Sequence, residues 1–221
     1  MVEFDWDIKH RPKTFDEMVG QERIVNYYKQ CKATNGRIRH AIFRGRCGIG
    51  KTTMARVIEN EFGVKMMSIN GSKDRTLSFF RDRIIPAMRV APFQGKFRLI
   101  FIDETESMLS EAWLVLKTPL EDYKHNCSII FACNDDKNIP EAIRSRCDVF
   151  DFAPISKNDT IKRLMQIAKM EKLEIKDDVL NVIYDKSKGD LRKSITLMEN
   201  YSKKAMDFGK NEFEDMFILT R

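Results

Sequence analysis

The sequence predicts a parallel α/β sheet domain followed by a small all-α helical domain. Two observations carry this expectation. Short strand-type runs alternate with helical stretches in the first two thirds of the chain, and beyond Ala153-Pro154 only helical periodicity remains. Strand–helix alternation is the pattern of a parallel sheet, because parallel neighbours need a crossover connection that covers a face.

The first strand is His40-Ala41-Ile42-Phe43, and four more lie at 65–70, 97–103, 128–133 and 148–152. Most are apolar along their length rather than alternating, as expected of strands covered on both faces. The boundary is placed at Pro154, giving an α/β unit over 1–154 and a helical unit over 155–221. Residues 156–159 supply N-cap chemistry for the first helix of the second unit. Ile161, Leu164, Met165 and Ala168 then share one helical face. Val179, Leu180, Ile183 and Tyr184 form the next such face, and Leu191, Ile195, Leu197 and Met198 the last. Lys188-Gly189 breaks the second helix from the third.

Composition narrows the function. Of 221 residues, 43% are hydrophobic and 33% charged, which supports a buried core and excludes a disordered chain. A net charge of +6 favours a polyanionic partner but does not separate nucleotide from nucleic acid. The five cysteines, Cys31, Cys47, Cys127, Cys133 and Cys147, form no CxxC and no alternating Cys/His cluster. Neither a disulfide framework nor a zinc site is expected, and a reducing compartment is. The N-terminal stretch is acidic without an apolar signal core, and no run approaches the roughly 20 apolar residues of a membrane span. A cytoplasmic or nuclear protein, or one acting in the cytoplasm of an infected host, is therefore expected, with no membrane partner.

Four motifs and one lone asparagine carry chemistry. Gly45-Arg46-Cys47-Gly48-Ile49-Gly50-Lys51-Thr52 matches the phosphate-binding pattern GxxxxGK[ST] between a strand and a helix. Its glycines let backbone N–H groups turn toward phosphates, Lys51 reaches the β and γ oxygens, and the Thr52 hydroxyl ligates Mg²⁺. The apolar strand at 97–103 ends in Asp103-Glu104, the Walker B form. Asp103 would join the Mg²⁺ shell and Glu104 would accept a proton from attacking water. Asn134 follows the next strand and is either a turn residue or one that orients that water. Ser145-Arg146-Cys147 and Gly189-Asp190-Leu191-Arg192 each place an arginine near a break, as solvated charge or as stabiliser of a transferring phosphoryl group.

The succession of these motifs resembles the AAA+ clamp-loader ATPases, both the replication factor C small subunits and their phage equivalents. Two further segments strengthen the resemblance. The stretch beginning Arg11-Pro12-Lys13-Thr14-Phe15-Asp16-Glu17-Met18-Val19-Gly20-Gln21 is similar to the family's N-terminal box. Asn70-Gly71-Ser72-Lys73-Asp74-Arg75, followed by Arg81, is similar to its Asn-Ala-Ser-Asp-x-Arg segment and the basic helix behind it. The resemblance implies an AAA+ P-loop domain with a helical lid, ATP–Mg²⁺ between them, and ATP hydrolysis used to load a sliding clamp on primer-template DNA. It implies contact with the adenine by the segment holding Arg11, Pro12 and Val19, and with the phosphates by residues 45–53, Thr53 included. Glu104 would be the base, Asn134 the first sensor and Arg192 the second. Arg146 would act on the ATP of a neighbouring clamp-loader subunit, and Arg75, Arg81 and Arg83 would face the DNA backbone.

The chain also departs from that family. Arg46-Cys47 stands where the P-loop usually has two prolines, so the empty loop loses their φ restriction. Trp113 and Lys117-Thr118 replace a Gln and paired arginines. Pro119 follows, and is expected to kink or end its helix because it removes an N–H donor. Family members continue for about a hundred further residues, the size of another small domain, into a collar that closes a ring. This chain stops at Arg221 and is expected to lack it. The alternatives are another AAA+ DNA-remodelling ATPase, of helicase-loader or Holliday-junction type, or a non-hydrolysing ATP-gated binding subunit.

Overall fold

The computed structural model describes residues 5–34, 36–90 and 97–208. They divide into two compact units, and the division is not a single cut in the chain. Lys13–Met18 and Glu22–Ala153 form the α/β unit, whereas Met1–Pro12, Val19–Gln21 and Pro154–Arg221 form the other. The second division falls between Ala153 and Pro154, and the amino-terminal segment is grouped with the helical unit.

Five strands build one wholly parallel sheet: β1 (Ala41–Arg44), β2 (Met66–Asn70), β3 (Arg98–Asp103), β4 (Cys127–Cys133) and β5 (Asp148–Asp151). Their order is β2-β3-β4-β1-β5. The central strand β4 is buried at every residue, which explains its unbroken apolar run. Successive side chains leave opposite faces of a strand. Accordingly Phe43, Leu99, Phe101, Ile130 and Ala132 enter one core cluster, and Ile42, Ile100, Ile102, Ile129 and Phe131 enter the other.

Seven described helices belong to this unit or open the chain. They are α1 (Trp6–Lys9), α2 (Glu22–Ala33), α3 (Lys51–Phe62), α4 (Leu77–Phe79), α5 (Ile85–Arg89), α6 (Ser110–Asp122) and α7 (Glu141–Arg144). A π-helical turn, Phe80–Ile84, joins α4 to α5. Pro119 does not end α6, which continues past it to Asp122 with the Pro119 carbonyl accepting from Tyr123 N–H at 3.0 Å. Pro119 and Leu120 are buried in that last turn, so packing holds a helix that local propensity alone would weaken. Trp113 is likewise core: it is 2% exposed, with its ring 5.2 Å from Phe131.

The helical unit packs α8 (Lys157–Met170), α9 (Asp177–Ser187) and α10 (Leu191–Phe208) around Leu164, Ile167, Ala168, Val179, Leu180, Ile183, Ile195, Met198 and Tyr201. Ser156 caps α8 by accepting from Asp159 N–H at 3.1 Å. Met165, read as a core residue from its spacing, is 46% exposed, and Ile167 takes the inward position. Helix α1 is tied to this unit by polar contacts. Trp6 N–H donates to Glu199 at 3.0 Å, Arg163 donates to the His10 carbonyl at 2.7 Å, and His10 Nε2 lies 2.5 Å from Glu171. These long-range partners explain why Met1–Pro12 follows the helices rather than the sheet.

Candidate nucleotide site

Because every strand is parallel, all five carboxyl ends lie along one edge of the sheet, and most of the predicted site residues emerge there. The phosphate-binding loop leaves β1 at Gly45 and enters α3 at Lys51. Glycine is required at both ends of the turn. Gly45 has φ +147°, and a Cβ there would lie 2.6 Å from the Phe152 carbonyl oxygen. Gly50 precedes α3 with φ +105°, a backbone that side-chain-bearing residues rarely adopt. The first N–H groups of α3 are thus presented at the loop, the arrangement that binds anions at helix N-termini.

Lys51 is only 9% exposed. Its ammonium donates to the carbonyls of Gly45 and Arg46, the second at 2.8 Å. Burial lowers its pKa from the ordinary value, opposed first by the negative charge of Asp103. A desolvated ammonium held by two neutral carbonyls is a site lacking a strong counter-charge, and a phosphate would supply one.

The Thr52 hydroxyl donates to Asp103 Oδ2 at 2.9 Å. One hydroxyl and one carboxylate, both hard oxygen donors, suit Mg²⁺ better than a softer metal. Among the described residues no group of three or more His, Cys, Asp or Glu side chains could hold a metal by itself. The pair therefore fits an ion that keeps waters and takes further ligands from substrate phosphates.

Asp103 closes β3, and Glu104 follows in the left-handed region with φ +54°. That conformation costs a non-glycine residue roughly 1–2 kcal/mol, and it leaves the Glu104 side chain exposed at the strand end. Asn134, just past β4, donates its amide to Glu106 Oε1 at 2.6 Å. Sequence reasoning did not single out Glu106. The one available signal was its place as a third acidic residue in Asp103-Glu104-Thr105-Glu106. Asp136 was missed in the same way. It is 6% exposed, lies 3.0 Å from Arg44 and 3.4 Å from Arg144, and so links the strand before the loop to α7.

Not every predicted residue gathers at this edge. Arg146 precedes β5, whereas Gly45 follows β1, and these strands are paired from Ala41↔Asp148 to Arg44↔Asp151. Arg146 and the loop therefore leave opposite ends of the sheet, separated by about 13 Å of strand at roughly 3.3 Å per residue. Arg146 donates to the Ala142 carbonyl at 2.5 Å, and its Nε lies 3.5 Å from Glu121. In the helical unit, Arg11 and Arg192 both approach Asp7, at 4.0 and 3.8 Å. Pro12 and Val19 are half-buried in that unit. Arg75, Arg81 and Arg83 are all exposed, the last two on the π-helical turn, while Arg89 bonds to the Tyr123 hydroxyl at 3.1 Å.

The thiols differ sharply in environment. Cys47 is exposed within the loop and Cys31 is half-buried. Burial pushes Cys127, Cys133 and Cys147 up to about 12, and a thiol in that state is a poor nucleophile. Brief treatment with a thiol reagent should label Cys47 first, and ATP–Mg²⁺ should protect it. Peptide mass mapping checks this: Cys47 unlabelled in the empty protein, or labelled equally with ATP present, would show that nucleotide does not cover the loop.

Residues 41–155 match the family model described as the ATPase family associated with various cellular activities (AAA). Residues 162–202 match the RCF1/5-like AAA+ ATPase lid domain. The chain is 35% identical over 205 residues to replication factor C small subunit 1 of Pyrobaculum islandicum, covering 90% of this chain and 62% of that protein. Against the replication factor C small subunit of Staphylothermus marinus the identity is 36% over 206 residues, with the same coverages. The chain thus spans 62% of the length of these curated relatives. The Thermotoga maritima RuvB Holliday junction branch migration motor shares the fold, with a TM-score of 0.80 at 20% identity over 95% of this chain and 71% of that one. No described helix is long and apolar enough to cross a membrane.

Proposed function

The chain belongs to the AAA family of ATPases, and from that premise we propose that it hydrolyses ATP as a subunit of a sliding-clamp loader acting on primer-template DNA. The observation that carries this reading is the position of Arg146 at the end of the sheet opposite its own phosphate-binding loop. Such an arginine serves a second subunit's nucleotide, so the unit that works is an oligomer. The lid-domain match and the identities to replication factor C small subunits support the clamp-loader type over other members of the fold.

In this reading Lys51 and the loop N–H groups hold the phosphates, and Arg11, Pro12 and Val19 lie against the adenine. Thr52 and Asp103 would hold Mg²⁺, which would supply positive charge against the phosphates. The water oxygen bonds to the γ-phosphorus as the bond to the β-phosphate oxygen breaks, leaving ADP and phosphate. Glu104 takes a proton from that water, and Asn134 orients it. A neighbour's Arg146 and the lid's Arg192 stabilise the charge that develops on the transferring group.

Exposed Arg75, Arg81 and Arg83 supply the DNA contact, which should weaken steeply with salt as phosphate contacts do. Primer-template DNA should raise the ATPase rate, and reversing Arg81 and Arg83 to Glu should bring the ratio of stimulated to unstimulated rates to about one. Greater stimulation by a four-way junction than by primer-template DNA would instead favour branch migration. Unchanged stimulation in the double variant would remove these arginines from the DNA contact.

A further inference from the structure

We propose that Glu106 is a positioning residue for hydrolysis: it fixes the side-chain amide of Asn134 so that the carbonyl oxygen, not the amino group, is offered to the attacking water. This inference rests on the reading of Asn134 as the water-orienting residue.

The argument begins with donor and acceptor chemistry. A carboxylate can only accept, and an Asn amide has one accepting and one donating end. The 2.6 Å contact between Asn134 Nδ2 and Glu106 Oε1 is therefore possible in one orientation of the amide only. Placing the nitrogen on Glu106 leaves Oδ1 as the end available to a ligand. Elsewhere the choice between the two ends of an Asn side chain is often ambiguous. Here the partner's chemistry decides it.

Glu106 is itself held in place. It lies in the 3₁₀ turn Thr105–Ser107, immediately after the Asp103-Glu104 pair. Thr105 is fully buried and its hydroxyl donates to the Ala132 carbonyl on β4 at 3.1 Å. The Glu106 carbonyl accepts from the Asn138 amide at 3.3 Å, and Ser107 N–H donates to the Glu104 carbonyl at 3.1 Å. The turn is thus fastened to both strands that carry catalytic groups. The second carboxylate oxygen, Oε2, is shielded from solvent and has no hydrogen-bond partner among the described residues. A carboxylate left half-satisfied in this way holds its one donor tightly, because losing Asn134 would leave both oxygens unpaired.

The consequence for chemistry is specific. A water facing two acceptors, the Glu104 carboxylate and Asn134 Oδ1, can donate one proton to each. Both of its lone pairs are then turned away from these acceptors and one is free to attack. If the amide were flipped, Asn134 would donate to one lone pair and leave one water proton without its acceptor, so the water would no longer be held with its lone pairs outward. Glu106 therefore acts through Asn134 and touches neither water nor nucleotide.

The test combines kinetics with a readout that needs no turnover. Gln at position 106 can accept from or donate to the amide, so Glu106→Gln releases the choice of orientation while keeping size. The variant should lower kcat roughly tenfold or more, the usual scale for outer-sphere partners, with ATP affinity unchanged. In an Asn134→Ala background the same substitution should change kcat less than about twofold, because residues acting as one unit are not additive. Independently, NMR of the nucleotide-free protein should show the Asn134 side-chain amide protons slow to exchange, and exchanging faster in Glu106→Gln. Equal losses in both backgrounds, an unchanged kcat, or an Asn134 amide indifferent to Glu106 would each overturn the proposal. Absence of ATPase activity in the wild type would instead refute the proposed function, and the NMR measurement would still decide the role of Glu106.

Discussion

Replacing Glu104 with Gln should leave ATP bound and reduce turnover by two or more orders of magnitude, roughly the contribution of a positioned general base. The substitution is nearly isosteric and removes only the capacity to take a proton. Glu104 is exposed at the end of β3, so no core packing is disturbed. Its φ of +54° is a backbone property that Gln keeps. Nucleotide affinity should be retained because Lys51, Thr52 and Asp103 are untouched, and Glu104 meets Asp103 only through its backbone N–H, at 3.0 Å, which Gln keeps. Single-turnover hydrolysis measured beside equilibrium ATP binding separates the two effects. Undiminished hydrolysis would remove Glu104 from the chemistry. Loss of binding together with turnover would mean that the strand end itself had been disturbed.

Much of this site is legible in the sequence because its groups lie next to one another along the chain. Gly45 to Thr52 is one loop with the start of α3, and Asp103-Glu104 is one strand end, so local pattern alone places them. The five strands are legible for a related reason: burial on both faces leaves a continuous apolar run, as in β4. What is not legible depends on partners far away in sequence. Glu106 meets Asn134 across 28 residues, and Asp136 meets Arg44 across 92. Nothing in either stretch marks the other. The assignment of Met1–Pro12 to the helical unit rests on Trp6, His10 and their partners Glu199 and Glu171, more than 150 residues away.

Local rules also fail where tertiary packing overrides them. Pro119 is expected to kink or end its helix; it does not end it, because burial of the last turn carries α6 to Asp122. Met165 reads as core from its spacing beside Leu164 and Ala168, yet lies on the outer side of α8. Trp113 replaces a polar family residue and is absorbed into the core beneath the sheet rather than serving a ligand. The exposed residues of α6 on the same stretch, Leu114 and Lys117, therefore present a different surface from the family's Gln and arginine pair.

The central claim is that each nucleotide is completed by a neighbouring subunit, and mixing two inactive variants tests it most directly. Arg146→Ala should lower turnover by roughly a thousandfold, the scale of an arginine supplied in trans to a phosphoryl-transfer site. Lys51→Ala should abolish turnover by removing the ammonium that meets the phosphates. Each variant keeps what the other lacks: the first has an intact loop, and the second has an intact Arg146. In a mixed oligomer, ATP on an Arg146→Ala subunit can face the Arg146 of a Lys51→Ala subunit. That arginine must leave Glu121 and the Ala142 carbonyl of its own chain to do so. With mixed oligomers demonstrated by native mass, the account predicts an ATPase rate clearly above that of either parent. Mixed oligomers no more active than their parents would contradict it.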